Sequence, residues 1–200
     1  MNNEDVKMIN SNGNGAKNSN KVLKEIFDLF EIFVSAIIIV TITVAFLFRT
    51  VGVDGKSMTH TLQDRDRLII SNFCYTPTVG DIVVLNLPDK FKKPIIKRII
   101  ADEGQTVNIT NDGDVYVDDI KLKEDYIHDK TVKKNYNSYP VKVPKGCVFV
   151  MGDNRMGSSD SRDIGCVNKN NIVGKAILRI LPFNSFGTLW FIYNGNYFKN

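Results

Sequence analysis

Two hundred residues with 43% hydrophobic and 24% charged positions describe a folded chain, not a fibrous or wholly disordered one. The net charge of +4 is spread along the chain, so nothing beyond a generic basic surface points to nucleic acid. Cys74, Cys147 and Cys166 make no CxxC or Cys/His pattern that would hold a metal, and they leave open one disulfide plus a free thiol or three separate thiols.

Taken in chain order, "MNNEDVKMINSNGNGAKNSN" carries seven asparagines in twenty residues and reads as a disordered tail, with a helix lead-in to residue 28. From Ile32 to Phe48 there are seventeen residues without a charge, and residues 29–48 are long and apolar enough to cross a bilayer as one helix. A buried core helix would keep a polar stripe, and this run has only Ser35, Thr41 and Thr43. No small-x-small cleavage site follows, so the span reads as an uncleaved anchor in the lipid bilayer. The flanking lysines and arginines do not decide its orientation.

Residues 49–200 then form one domain. Its short β-like runs, "RLIISNF", "GDIVVLNL", "IIKRII", "TVNIT", "DVYVD", "CVFVMG" and "KAILRIL", predict a mainly β, antiparallel fold. Asp112-Gly113 between two alternating runs predicts a hairpin, and the polar stretch that follows predicts a loop-rich insertion or cap over about 108–145.

Three stretches carry chemistry. "IIKRII" at 95–100 reads as a strand, with Lys97 and Arg98 on opposite faces among isoleucines. An edge strand with two snorkelling cations is the plain reading, and a desolvated Lys97 able to lose its proton is the sharper one. "VDGKSMTHTL" at 53–62 holds Ser57 two residues after Gly55, in a turn. A serine nucleophile needs a base, and neither His60, three residues away, nor His128, in the loop-rich region, is well placed; a neutral lysine is the alternative, and Lys97 has the apolar setting. "MGDNRMGSSDSRDIGCV" at 151–167 is either a decorated loop or the wall of a site.

The ordered blocks "GKSMTHTL", "GDIVVLNLP", "KRIIADEGQTV" and "GDNRMGSSDSRDIGCV" resemble the bacterial type I signal peptidases, membrane-anchored serine endopeptidases, and the resemblance runs from the span to about Leu189. It implies a cytoplasmic N-terminal tail at 1–28, a transmembrane helix at 29–48 and an extracytoplasmic catalytic domain at 49–200. By the same resemblance Ser57 is the nucleophile and Lys97 the general base. Ser158 orients the lysine amine, Asp160 and Arg162 are paired charges shaping their loop, and Arg98 and Asp153 are structural partners. Gly55 and Met58 are substrate-binding positions. No cofactor is implied, and the partners are preproteins carrying signal peptides. Three positions depart from the family pattern: His60 stands where Ser-Met-x-Pro is common, Glu103 where a proline often precedes the glycine, and Gly55 where some members place a hydroxyl beside the oxyanion. A catalytically inactive, membrane-tethered β-domain binding extended peptides is the rival reading, but it would be expected to lack Ser57 or Lys97. A self-cleaving serine-lysine regulator would be expected to carry a DNA-binding segment and no anchor.

Overall fold

The computed structural model describes residues 3–134 and 138–189, and for 3–20 the backbone only. Helix α1 runs from Asn3–Leu47, and within it Lys21–Leu47 is apolar enough and, at 27 residues, long enough to cross a membrane. Its large side chains, from Val22 to Phe46, are exposed, as suits a helix whose solvent is lipid. The expected span at 29–48 falls within this stretch but for Phe48. The asparagine-rich segment differs from expectation, because its backbone is helical from Asn3. Extending a helix already nucleated costs far less than starting one.

The second unit, from Leu47 onward, is the β domain. The predicted runs become β2 (Arg67–Ser71), β3 (Ile82–Leu85), β4 (Ile95–Ala101), β5 (Thr106–Ile109), β6 (Val115–Val117), β9 (Cys147–Met151) and β11 (Ile172–Leu181). Five short strands, β1 (Arg49–Gly52), β7 (Ile120–Lys121), β8 (Val141–Lys142), β10 (Val167–Asn168) and β12 (Gly187–Thr188), complete the set. The large sheet has the order β1-β2-β11-β3-β4-β9-β10, with β12 added to β11, and its pairings are antiparallel.

The predicted insertion is a sheet of its own, β7-β6-β5-β8. Val107 faces Val117 and Ile109 faces Val115 across its hairpin, while Gly113 takes the positive φ of 86° that the turn requires. Between β7 and β8 the described residues 122–134 and 138–140 lie outside the sheet, as an excursion from it.

β4 runs through the middle of the large sheet. It lies between β3 and β9, and from Ile96 to Ala101 its residues are buried. An edge strand with snorkelling cations is therefore ruled out: Lys97 is 2% exposed and Arg98 is 0% exposed. Isoleucines of β4 contribute to three apolar clusters, Ile96 with Met58 and Leu62, Ile100 with Val107 and Phe149, and Ile99 with Val83 and Val150. The strand thus joins the two sheets' cores and carries both cations through them.

Candidate active site

Ser57 lies in the turn after β1, set up by Gly55, whose φ of +94° only glycine adopts without strain and whose N–H donates to Asp64 Oδ1 at 2.8 Å. Met58, the next residue after Ser57, is 1% exposed and packs with Val53 and Leu62. Its side chain therefore anchors the turn from beneath. Ser57 is partly exposed, and its Oγ is 2.7 Å from Lys97 Nζ.

Burial drives the Lys97 pKa down to about 8 from 10.5; Asp160 opposes the fall, and Arg162 adds to it. The same 2.7 Å contact serves two protonation states. A charged amine donates to Ser57 Oγ, and a neutral amine accepts the Ser57 O–H. His60 and His128 stack on one another instead, with ring centroids 3.6 Å apart.

The loop after β9 closes around the serine. Asn154 N–H donates to the Ser57 carbonyl at 3.0 Å, and Asn154 Nδ2 donates to the Lys56 carbonyl at 3.0 Å. Gly152 lies so close that a Cβ there would come within 2.4 Å of the Ser57 carbonyl oxygen and 2.3 Å of Ser158 Oγ. Ser158 is buried, and its hydroxyl has no hydrogen-bond partner of ordinary geometry among the described residues, although it lies near enough to Asp160 to help keep that carboxylate ionised. The hydrogen bond of the Lys97 amine goes to Ser57; none joins it to Ser158 among the described residues.

Asp160 and Arg162 form a buried pair at 2.8 Å. Burial works to raise the Asp160 pKa, but the Arg162 guanidinium and the Gly152 N–H outweigh it and hold the carboxyl below the usual range. Asp160 also caps helix α2 (Ser161–Ile164). Arg98 donates to both oxygens of Asp153, at 2.8 and 2.5 Å, and to the Gly80 carbonyl at 2.9 Å. Thr61, in the turn that holds Ser57, donates to Asp153 at 2.5 Å, so the serine turn, the lysine strand and the loop after β9 share one carboxylate.

Four participants went unseen in the sequence. Arg155, 1% exposed, pairs with Glu124 and hydrogen-bonds Thr131 and Tyr126, and the Arg98 guanidinium stands 4.3 Å from the centre of the Tyr126 ring. These groups fasten the excursion to the loop after β9. "EDYIHD" gives no periodic signal for them. Only the arginine in "GDNR", in a block already marked, could have drawn attention.

Comparison with known proteins gives the family. The family model "Signal peptidase, peptidase S26" matches residues 26–181. Signal peptidase I P of Bacillus subtilis subsp. natto is 38% identical over 170 residues, covering 80% of this chain and 91% of its own. Signal peptidase I of Bacillus amyloliquefaciens is 40% identical over 150 residues, covering 70% and 77%. Signal peptidase I T of Bacillus subtilis is 35% identical over 184 residues, covering 86% and 94%. The chain therefore belongs to the signal peptidase family, peptidase S26.

Proposed function

We propose that this protein is a membrane-anchored serine endopeptidase that removes signal peptides from exported preproteins through a Ser57–Lys97 dyad. The observation that carries the reading is the 2.7 Å contact between an accessible hydroxyl and a buried amine whose pKa falls to about 8. Neutral Lys97 takes the Ser57 proton as Oγ attacks the scissile carbonyl. The lysine then returns that proton to the departing amine, leaving an acyl-enzyme. Lys97, neutral again, activates the water that hydrolyses the ester. The Ser57 backbone N–H is the oxyanion donor, with Gly55 supplying no hydroxyl beside it.

Substrate enters as an extended strand. Among the described residues β1 is an edge strand of the large sheet and Ile95–Lys97 pair with β3 alone, because pairing of β4 with β9 begins at Arg98. Two open backbone edges flank the serine, and a preprotein segment laid between them adds its own hydrogen bonds. The resemblance to type I signal peptidases adds small residues, typically alanine, at the first and third positions before the cut. On the same reading, residues 49–200 lie outside the cytoplasm and the N-terminus within.

The test is incubation of the detergent-solubilised full chain with a preprotein, wild type against Ser57→Ala. Cleavage should fall to a trace while the thermal unfolding curve stays in place. Retained cleavage at the same bond would refute the assignment of the nucleophile.

A further inference from the structure

Lys134, near the end of the excursion, reaches back to the loop after β9. Its Nζ donates to the Ser158 carbonyl at 2.6 Å and to Asp163 Oδ2 at 2.7 Å. Asp163 in turn accepts the Asp160 N–H at 3.1 Å. A single ammonium thus ties the backbone of Ser158 to α2 on either side of the Asp160–Arg162 pair.

We propose that Lys134 is a positioning residue for the Ser57–Lys97 reaction: its ammonium anchors the Ser158 segment and keeps a positive charge beside the site where the base must stay neutral. The inference rests on the reading of Lys97 as that base. The groups that bear on the Lys97 amine come from four places. Ser57, from the nucleophile's turn, is hydrogen-bonded to it. Asp153, Asp160 and Arg162 come from the loop after β9 and from α2, and Lys134 from the excursion. The two acids favour the ammonium, while the two cations oppose it. Asp160 is held by Arg162 and Asp153 by Arg98, so their pull is largely matched within buried pairs. Removing Lys134 subtracts an opposing cation and at the same time leaves Asp163 unpaired. Both changes favour protonated Lys97.

The experiment measures preprotein cleavage against pH for the full chain in detergent micelles, with Lys134→Arg, Lys134→Gln and Lys134→Met beside wild type. The Lys97 amine is titrated in parallel by NMR of protein carrying ¹⁵N-lysine. Gln keeps a donor without charge, Arg keeps both, and Met keeps neither. In the Gln and Met variants the rising limb of the pH profile and the amine titration should move upward by about half a pH unit. That is a loss of about threefold at pH 7, recovered at high pH in the Gln variant. Arg should keep the wild-type midpoint. Unmoved midpoints in Gln and Met, even with lower rates, would overturn the proposal and leave Lys134 a structural tether. A wild-type Lys97 amine with no titration near pH 8 would overturn the base assignment itself, and this proposal with it.

Discussion

Lys97 and Arg98 are neighbours on one strand, both sealed from water, and the surroundings treat them in opposite ways. Arg98 has Asp153 on two of its nitrogens, a backbone carbonyl on a third and the Tyr126 ring against its plane. Arginine cannot be discharged, so the protein supplies an anion and an acceptor for each of its three nitrogens. Lys97 is offered the Ser57 hydroxyl, and its carboxylates act only from a distance, each already held by an arginine. A lysine in that position sheds its proton far more readily than it would in water. A buried cation on a carboxylate holds the walls together; a buried cation on a hydroxyl is available for proton transfer.

The comparison breaks hardest at Arg98. Arg98→Met leaves Asp153 buried and uncompensated, and unfolding of the full chain in micelles should show a loss of about 3–5 kcal/mol. Adding Asp153→Asn should recover part of it. A single variant as stable as wild type would mean that the pair is not structural.

Lys97→Met should act in the opposite direction. With the folded pKa near 8 and an ordinary value of 10.5, keeping the proton costs the folded state about 3 kcal/mol, all of it present below pH 8. Between those values the unfolded chain binds more protons, so wild-type stability rises with pH across that window. The methionine variant should be inactive, more stable by up to about 3 kcal/mol at pH 7, and level with wild type above pH 10.5. Melting at several pH values checks this, and a variant less stable at pH 7 would mean that Lys97 is held charged.

Gly152→Ala pushes a methyl against both Ser57 and Ser158, where backbone as well as side chain must give way. Stability should drop by about 1–3 kcal/mol, with a larger proportional loss of cleavage because the displaced atom belongs to the nucleophile's own residue. Steady-state rates beside denaturation curves separate the two effects. At the small end, Lys93→Ala removes a cation paired with Asp54 at 2.6 Å on the exposed surface, and the unfolding curve should stay where it is in wild type. A shifted curve would mean that burial is not what distinguishes the cations of β4.

What could be read in advance follows from range. "RLIIS", "IVVL", "IIKRIIA" and "CVFVM" announce themselves because β-branched and apolar residues repeat within a strand's length. Strands of two residues, such as β7, β10 and β12, offer too little pattern, and β1, "RTVG", is mostly exposed. Nothing local says that β11 pairs with β2 and β3, since strand order depends on contacts distant in the chain. The site divides in the same way. Ser57, Lys97, Asp153, Asp160 and Arg162 stand in compact blocks, so their types and order were legible. Tyr126, Thr131 and Lys134 act through partners 24 to 29 residues away, in segments with no pattern of their own, and Asn154, although inside a marked block, acts through one 98 residues away. The aromatic tail "LWFIYNGNYFKN" at 189–200 reads as a segment that packs on the sheet or meets the membrane surface, and from Trp190 onward it lies outside the described residues.

The position of β11 has a consequence for timing. Its ten residues, 172–181, are inserted between β2, which follows the nucleophile's turn, and β3, which leads into the lysine strand. Until that segment has left the ribosome and threaded into place, the serine half and the lysine half of the large sheet share no strand pairing. A growing chain therefore lacks, through most of its synthesis, the strand that joins the Ser57 and Lys97 halves of the large sheet, and cleavage should depend on its arrival. Chains arrested at residue 165 should leave preprotein intact, whereas those released at 200 should cut it.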